Sequence, residues 1–224
     1  AIVQIMNSDV ERMFEQSGAV LRGHFLLASG SHSPVYWEKF QVLQFPGYTT
    51  QLCRMFANYF RGHNIQLVAG PTTGGVILAF ETARQLGVRG IFAEKPVPVS
   101  SPDSPNSFVM ATSVAHTGQG LSKAEGDSTG GRVFRRGFNI SPGERVLIVD
   151  DILTTGSSVQ EVVKAVIERK GIVVGIGVLV DRSDTPVHFG VPLFSCLRSQ
   201  SSAYAPENCP LCAQNIPLVK PGSS

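Results

Sequence analysis

The chain carries little charge and no long apolar run. Only 16% of its 224 residues are charged, and the formal net charge is +2. Its basic residues are scattered, whereas a dedicated nucleic-acid surface needs clustered lysine and arginine, so we expect no nucleic-acid partner. No apolar stretch reaches the roughly 20 residues that a membrane-spanning helix needs, so we expect no membrane partner. The first ten residues lack the basic start and apolar core of a signal peptide, and we therefore expect a cytoplasmic protein.

Two common nucleotide-binding signatures are also absent. No Gly-Lys-Ser or Gly-Lys-Thr sequence marks a Walker A loop, and no G-x-G-x-x-G sequence opens a helix. These absences exclude the P-loop and dinucleotide-binding classes as first hypotheses.

Residues 146–158, VLIVDDILTTGSS, carry the strongest signal in the chain. An apolar strand ends in two carboxylates, Asp150 and Asp151, and a turn rich in hydroxyls leads into a segment with helical periodicity. The first amides of a helix lack intrahelical partners and lie at the positive end of its dipole, so this turn suits a phosphate group. The carboxylates can accept hydrogen bonds from ribose hydroxyls or hold a magnesium-bound ligand. An ordinary turn with a serine N-cap explains Ser157 or Ser158, but not two carboxylates beside four hydroxyls.

From about residue 65 onwards, apolar segments typical of strands alternate with segments of helical periodicity. IQLVAG, RGIFAEK, GERVLIVDD and IVVGIGVLVDR read as strands, and helical segments follow the first and the third. Such alternation predicts an α/β fold with right-handed crossovers and a parallel sheet. Ligands of these sheets bind at the carboxyl ends of the strands, where Gly70, Asp150–Asp151 and Asp181–Arg182 all fall.

The run from residue 146 to residue 158 resembles the phosphoribosyl pyrophosphate (PRPP) motif of the type I phosphoribosyltransferases. The resemblance implies the fold of that family: a single domain over residues 1–224, with a central parallel sheet flanked by helices. It also implies a small hood, built from about residues 20–42 and 190–224.

The same resemblance implies which residues bind PRPP. They are Asp150, Asp151, Ile152, Leu153, Thr154, Thr155, Gly156, Ser157, Ser158, Lys95, Thr72, Thr73, Gly74 and Gly75. Within this set, Thr72–Gly75 and Lys95 would hold the pyrophosphate together with Mg²⁺, the implied cofactor. Asp150, Asp151 and Lys95 are the implied catalytic residues.

Two further features resemble the orotate phosphoribosyltransferases in particular. Residues 29–40, SGSHSPVYWEKF, are similar to the segment that covers the base in that family. Arg182 occupies a strand end where the family has an arginine facing the orotate carboxylate, and a guanidinium pairs with a planar carboxylate through two hydrogen bonds. The resemblance implies that Thr154, Arg182 and Tyr36 bind orotate. The chain departs from the family at Ala28 and Glu94, where many members have lysine and arginine.

Residues 96–131 interrupt the alternation and are rich in Ser, Pro, Gly and Thr. A long loop of this kind inside a compact domain is usually a functional lid or a disordered insert. In the family, a mobile loop with a lysine and a histidine closes over the site and reaches a neighbouring subunit, which implies a homodimer. Lys123, with His116 nearby, is the candidate for the catalytic cation of this lid, and a solvated loop lysine is the alternative.

Cys209 and Cys212 form a C-x-x-C pair, which supplies half of a zinc site. Cys196 is a candidate third ligand, and the sequence alone indicates no fourth. A disulfide and two plain thiols are the alternatives.

The resemblance as a whole implies transfer of the phosphoribosyl group from PRPP to orotate, giving orotidine 5′-monophosphate and pyrophosphate. Arg182 favours orotate, because a neutral purine base offers no carboxylate. Two alternatives stay open: a phosphoribosyltransferase for a purine or another base, and a PRPP-binding regulator that keeps the fold but not the activity.

Overall fold

The computed structural model describes residues 2–27, 29–96, 131–199 and 203–221. The helices in these ranges are α1 Ile2–Gln16, α2 Lys39–Leu43, α3 Pro46–Phe60, α4 Gly74–Leu86, α5 Ser157–Glu168 and α6 Pro210–Ala213. The strands are β1 Val20–Leu26, β2 His32–Trp37, β3 Leu67–Pro71, β4 Arg89–Ala93, β5 Arg145–Leu153, β6 Ile172–Asp181 and β7 Leu193–Arg198. Two short 3₁₀ turns, Arg61–His63 and Pro206–Asn208, accompany them.

Five strands form one parallel sheet in the order β4-β3-β5-β6-β7. The two strand–helix–strand units, β3–α4–β4 and β5–α5–β6, are those indicated by the alternation in the sequence. The predicted α/β class with a central parallel sheet is therefore confirmed. The middle strand, β5, carries Asp150 and Asp151 towards its carboxyl end, so the acidic pair lies at the centre of the sheet edge.

Both faces of the sheet are buried, which explains why its strands read as continuous apolar runs. Successive side chains of a strand point to opposite faces. Leu147 and Val149 of β5 pack in one cluster with residues of α1, α3 and α4. Val146 and Ile148 pack in the other cluster, with residues of α5. From residue 146 to residue 149, successive side chains of β5 therefore alternate between the two helical layers.

A second, smaller unit consists of the antiparallel hairpin β1–β2 and the C-terminal segment 203–221, and we call this unit the hood. The two parts pair through Phe25 with Val219 and through His32 with Tyr204. The second part of the predicted hood spans about residues 190–224, a range that includes β7. In the structure, however, β7 is an edge strand of the main sheet. The C-terminal part of the hood therefore begins after β7.

The predicted lid, residues 96–131, lies outside the described residues except at its two ends. Its base is visible: Glu94 and Val133 pair in an antiparallel bridge, with N–H···O distances of 2.9 and 2.8 Å. The segment therefore leaves and rejoins the body at the carboxyl end of β4. In the described ranges no helix combines the length and apolar character needed to cross a membrane.

Close packing between β6 and α3 gives a test of this architecture. A Cβ on Gly177 would lie 2.9 Å from Cδ1 of Phe56 in the core. We expect Gly177→Ala to lower the free energy of unfolding by about 1–3 kcal/mol through overpacking, as measured by urea denaturation.

The matched control is Gly47→Ala in α3, where a Cβ would meet open space. Alanine favours helices, so this variant should keep the wild-type stability or gain up to about 1 kcal/mol. Equal losses in both variants would contradict the packing described here.

Candidate active site

Asp150 is buried at the end of β5 and faces α5. Its Oδ1 accepts a hydrogen bond from the Asp151 amide at 2.8 Å, and its Oδ2 accepts one from the Ser158 hydroxyl at 2.8 Å. Burial raises the pKa of Asp150 to about 7, and the neighbouring Asp151 carboxylate contributes to the rise. Within the described residues, its direct hydrogen-bond partners are thus an amide and a hydroxyl rather than a cation.

Asp151, the next residue, faces the opposite layer and has a cationic partner. Lys39, the first residue of α2, donates to Oδ1 at 3.2 Å and lies 3.1 Å from Oδ2. The Ile152 amide also donates to Asp151 Oδ1, at 2.7 Å. The sequence reasoning missed Lys39, although it lies in the 29–40 segment assigned to the base. In the sequence, Lys39 stands out only as a lysine shortly after the predicted hairpin. Its contact with Asp151 becomes evident only in the folded structure.

The turn after β5 leads through a glycine into the start of α5. Gly156 is the N-cap residue with φ of 80°, and no side chain caps the helix. A Cβ on Gly156 would lie 2.9 Å from Phe189 and 3.0 Å from Val187, so glycine is required for both conformation and space. The Thr155 hydroxyl donates to Ser157 Oγ at 3.2 Å, while Thr154 is exposed. The amides of the first turn of α5 and the exposed Thr154 are therefore the groups that this turn offers to a phosphate.

The loop between β3 and α4 packs directly against this site. A Cβ on Gly74 would overlap the Asp151 carboxylate, and one on Gly70 would lie 2.9 Å from the Val149 carbonyl oxygen. The Thr72 amide donates to the Ala93 carbonyl at 3.0 Å, which joins the loop to the end of β4. The peptide bond between Thr72 and Thr73 is cis. Glycines at these positions allow a close approach of backbone to carboxylate that any side chain would prevent.

Arg132 is a second residue that the sequence reasoning missed. It is buried, donates to Thr72 Oγ1 at 3.0 Å, and its Nε lies 3.4 Å from Glu161 of α5. Arg132 directly follows the predicted lid in the chain. The preceding residues are rich in serine and glycine, and they gave no indication that this arginine is buried. A buried guanidinium therefore touches the loop that was predicted to hold pyrophosphate.

Arg182 lies beside the phosphate turn, as its strand end predicts. Its amide donates to the Leu153 carbonyl at 2.8 Å. Burial lowers the pKa of the Arg182 guanidinium, and the nearby Asp184 and Tyr36 partly offset this effect. Tyr36 of β2 is therefore near enough to Arg182 to influence the pKa of its guanidinium.

The remaining predicted residues differ in what they offer. The Leu153 side chain is fully buried in the core, so its contribution to a site comes from its backbone. Lys95 is exposed, two residues beyond Ala93, whose carbonyl binds the Thr72 amide. Glu94 pairs with Arg136 at 2.8 Å, which gives this departure from the family a structural partner. Lys123 and Ala28 lie outside the described residues.

Comparison with known proteins places this geometry in a family. Residues 41–206 match the model of the phosphoribosyl transferase domain. The chain is 44% identical to "Orotate phosphoribosyltransferase" of Pelotomaculum thermopropionicum and 42% identical to the protein of that name from Caldanaerobacter subterraneus. Each alignment covers 96% of this chain and 96% of the relative. The chain belongs to the phosphoribosyltransferase family, which confirms the resemblance seen in the sequence.

Solved structures show the same fold for more than one base. The orotate phosphoribosyltransferase of Aeropyrum pernix aligns with a TM-score of 0.58 at 24% identity, over 84% of this chain and 93% of that one. The adenine phosphoribosyltransferase of Thermoanaerobacter pseudethanolicus aligns with a TM-score of 0.52 at 23% identity, over 74% and 88%. These likenesses show the fold alone, and the fold does not select the acceptor.

The raised pKa of Asp150 predicts a pH-dependent cost to stability. The pKa of Asp150 is about 7 in the folded chain against about 4 for an ordinary aspartate, so the folded state binds this proton more tightly than the unfolded state does. Stability therefore falls as the pH rises from about 4 to about 7. We expect Asp150→Asn to raise the free energy of unfolding by about 1–3 kcal/mol at high pH, by denaturant titration. The gain should shrink as the pH falls and vanish near pH 4.

Asp181→Asn is the matched control, because Asp181 is equally buried at the end of β6. Its Oδ1 accepts hydrogen bonds from the Ser183 amide at 2.9 Å and the Ser183 hydroxyl at 2.6 Å, and Arg198 lies 3.8 Å from Oδ2. With a cation nearby, its removal should bring no gain. A gain of similar size and pH dependence in both variants would show that the effect is not specific to Asp150.

Proposed function

We propose that this member of the phosphoribosyltransferase family is an orotate phosphoribosyltransferase, which forms orotidine 5′-monophosphate and pyrophosphate from PRPP and orotate. The observation that carries the proposal is the acidic pair at the end of β5, followed at once by an uncapped helix start. Full-length relatives at 42–44% identity bear the name of this activity. They favour orotate, whereas the fold is compatible with either base.

The donor substrate binds across the centre of the sheet in this proposal. Residues 154–158 take the 5′-phosphate, since the amides at the start of α5 lie at the positive end of its dipole. Asp150 and Asp151 accept hydrogen bonds from the ribose hydroxyls. The loop 72–75 holds the pyrophosphate, and Lys95 and Arg132 add positive charge at its edge.

Mg²⁺ accompanies PRPP in this proposal. The residues present fit the ion, because the carboxylates of Asp150 and Asp151 are the hard oxygen ligands that it prefers. When bound, the ion neutralises negative charge on the pyrophosphate group. Burial of Asp150 without a cation in hydrogen-bonding contact among the described residues is consistent with a carboxylate whose positive partner arrives with the substrate.

The chain contributes position and charge to the reaction rather than a covalent intermediate. The bond from the anomeric carbon to pyrophosphate breaks while a bond to a ring nitrogen of orotate forms, and positive charge develops on the ribose. The proton of that nitrogen leaves with the pyrophosphate. Carboxylates under the ribose stabilise that charge, and the fixed turn holds the 5′-phosphate in place. Lys39, bound to Asp151, positions this carboxylate. A role for Lys123 in the lid stays a prediction.

Arg182 and Thr154 orient orotate, with Tyr36 on the hood side. Arg182→Ala should raise the KM for orotate at least about tenfold, the cost of a charge-assisted hydrogen bond, and should change the KM for PRPP little. Steady-state kinetics with both substrates varied provides the measurement. Arg89→Ala is the matched control, because Arg89 lies at the opposite end of the sheet and pairs with Glu144 at 2.8 Å.

Equal effects on both KM values would refute this role of Arg182. Pyrophosphate release should also be measured with orotate, adenine and hypoxanthine. Turnover with a purine but not with orotate would establish the alternative acceptor, and tight PRPP binding without turnover of any base would establish a regulator.

The chain forms a homodimer in this proposal. Three large apolar side chains near the α3–α4 groove are exposed: Phe80 by 70%, Phe45 by 44% and Ile77 by 38%. They belong to or adjoin a mainly apolar groove of about 400 Å³ between α3 and α4. An apolar patch of this kind marks an interaction surface, and a second copy of the chain is the partner that the family resemblance implies.

Phe80→Glu should therefore convert the dimer to a monomer, because the interface would bury an unpaired charge. Analytical ultracentrifugation measures the change. Ile167→Glu is the control: Ile167 is 60% exposed on α5, in the layer across the sheet. A wild-type chain that sediments as a monomer would contradict the proposal.

A further inference from the structure

Four side chains with metal-binding atoms converge inside the hood. His24, His32, Cys209 and Cys212 each offer one ligand atom, and these four atoms all lie within 4.8 Å of one another. His24 Nε2 lies 2.9 Å from His32 Nδ1 and 3.5 Å from Cys209 Sγ. Cys212 Sγ lies 3.3 Å from His32 Nδ1 and 3.7 Å from His24 Nε2. Each ligand atom is thus near the others, as around a single ion.

The cluster corrects the ligand set suggested by the sequence. Cys196, the candidate third ligand, is buried in β7 with its Sγ 3.8 Å from the Leu52 carbonyl oxygen, so its assignment to this cluster was wrong. The two histidines come from β1 and β2, more than 170 residues before the cysteines in the chain. Only the pairing of the hairpin with the C-terminal segment brings these pairs together.

The histidine His24 is already oriented for a metal. Its Nδ1 lies 2.7 Å from the Ile216 carbonyl oxygen. A carbonyl only accepts, so Nδ1 carries the proton and Nε2 directs its lone pair into the cluster. A backbone carbonyl that fixes the ring in this way is the usual outer partner of a metal-bound histidine.

We propose that His24, His32, Cys209 and Cys212 bind one Zn²⁺ ion. Zinc bonds of about 2.0 Å to nitrogen and 2.3 Å to sulfur give tetrahedral edges of roughly 3.3–3.8 Å. Three of the four nitrogen–sulfur distances, at 3.3–3.7 Å, lie within that range. The nitrogen–nitrogen distance of 2.9 Å is slightly shorter, so the rings move apart by a few tenths of an ångström on binding. Two thiolates with two imidazoles select zinc among the common metals.

The site is structural rather than catalytic. Four protein ligands complete a tetrahedral shell and leave no position for water or substrate. His24, His32 and Cys209 are between 2% and 6% exposed, which shields the centre from solvent. The proposal does not depend on the reaction that the chain catalyses.

The C-terminal segment explains why the hood needs such an ion. Of residues 203–221, Cys209 alone is buried. Backbone hydrogen bonds join the segment to the hairpin, for example from Tyr204 to His32 at 2.8 Å and from Val219 to His24 at 2.8 Å. A segment that buries so little apolar surface gains little from packing, and zinc binding supplies the missing stability. The hairpin leads directly into Lys39, so the ion also fixes the element that contacts Asp151.

The test measures metal content and requires no activity. Reduced full-length protein, purified with zinc in the medium, should contain one zinc per chain by plasma mass spectrometry. Cobalt added to the reduced, chelator-treated chain should give the absorption bands of tetrahedral cobalt bound to thiolate. Removal of zinc should lower the Tm by several degrees, and added zinc should restore it.

Cys212→Ala is the decisive variant, because Cys212 is exposed and its loss opens no core cavity. It should bind zinc at least about tenfold more weakly. Cys196→Ala removes one thiol elsewhere and should retain one zinc per chain. His32→Ala against His188→Ala repeats this comparison for the imidazoles.

Three results would overturn the proposal. The first is reduced protein that binds neither zinc nor cobalt. The second is wild-type affinity in both Cys212→Ala and His32→Ala. The third is a chain in which only two of the four thiols react under denaturing conditions without reductant, with no metal bound, which would assign a disulfide to Cys209 and Cys212.

Discussion

The site depends on two consecutive carboxylates that are buried on opposite sides of one strand. Because side chains alternate along β5, Asp150 follows Val146 and Ile148 towards α5, while Asp151 follows Leu147 and Val149 towards α4. Ser158 of α5 therefore binds the first carboxylate, and Lys39 binds the second. A pleated strand at the centre of a three-layer fold thus gives neighbouring residues of one type two different environments.

The two environments differ in charge. Asp151 lies against a lysine, whereas the direct partners of Asp150 among the described residues are a hydroxyl and an amide, so burial raises the pKa of Asp150 to about 7. Such a carboxylate weakens the folded state at neutral pH, and its retention is typical of a functional position rather than a structural one. Asp151 is also closely approached by the β3–α4 loop, since a side chain in place of Gly74 would overlap its carboxylate. The backbone of the β3–α4 loop therefore packs directly against this carboxylate and leaves no room for a side chain between them.

The parts that could be predicted from the sequence are those that one segment contains. Strand, acidic pair, turn and helix are contiguous in residues 146–158, and local periodicity indicates each of them. Lys39, Arg132 and the histidine pair were missed for a common reason. Each meets its partner across 60 to 190 residues of chain, and periodicity carries no information on such contacts. The C-x-x-C pair was visible, but its other ligands become evident only once the hairpin pairs with Tyr204 and Val219.

The hood and the main sheet are stabilised by different interactions. The sheet buries apolar side chains on both faces, which is sufficient for a core. The hood has a two-stranded hairpin and a largely exposed segment, and a hairpin of this size is marginal in water without further support. Small units of this kind rely on metals or disulfides, and four ligand atoms within 4.8 Å supply the means. Since the hairpin also carries Tyr36 and leads into Lys39, a stable hood is a condition for a well-positioned site, although no ligand of the ion takes part in the chemistry.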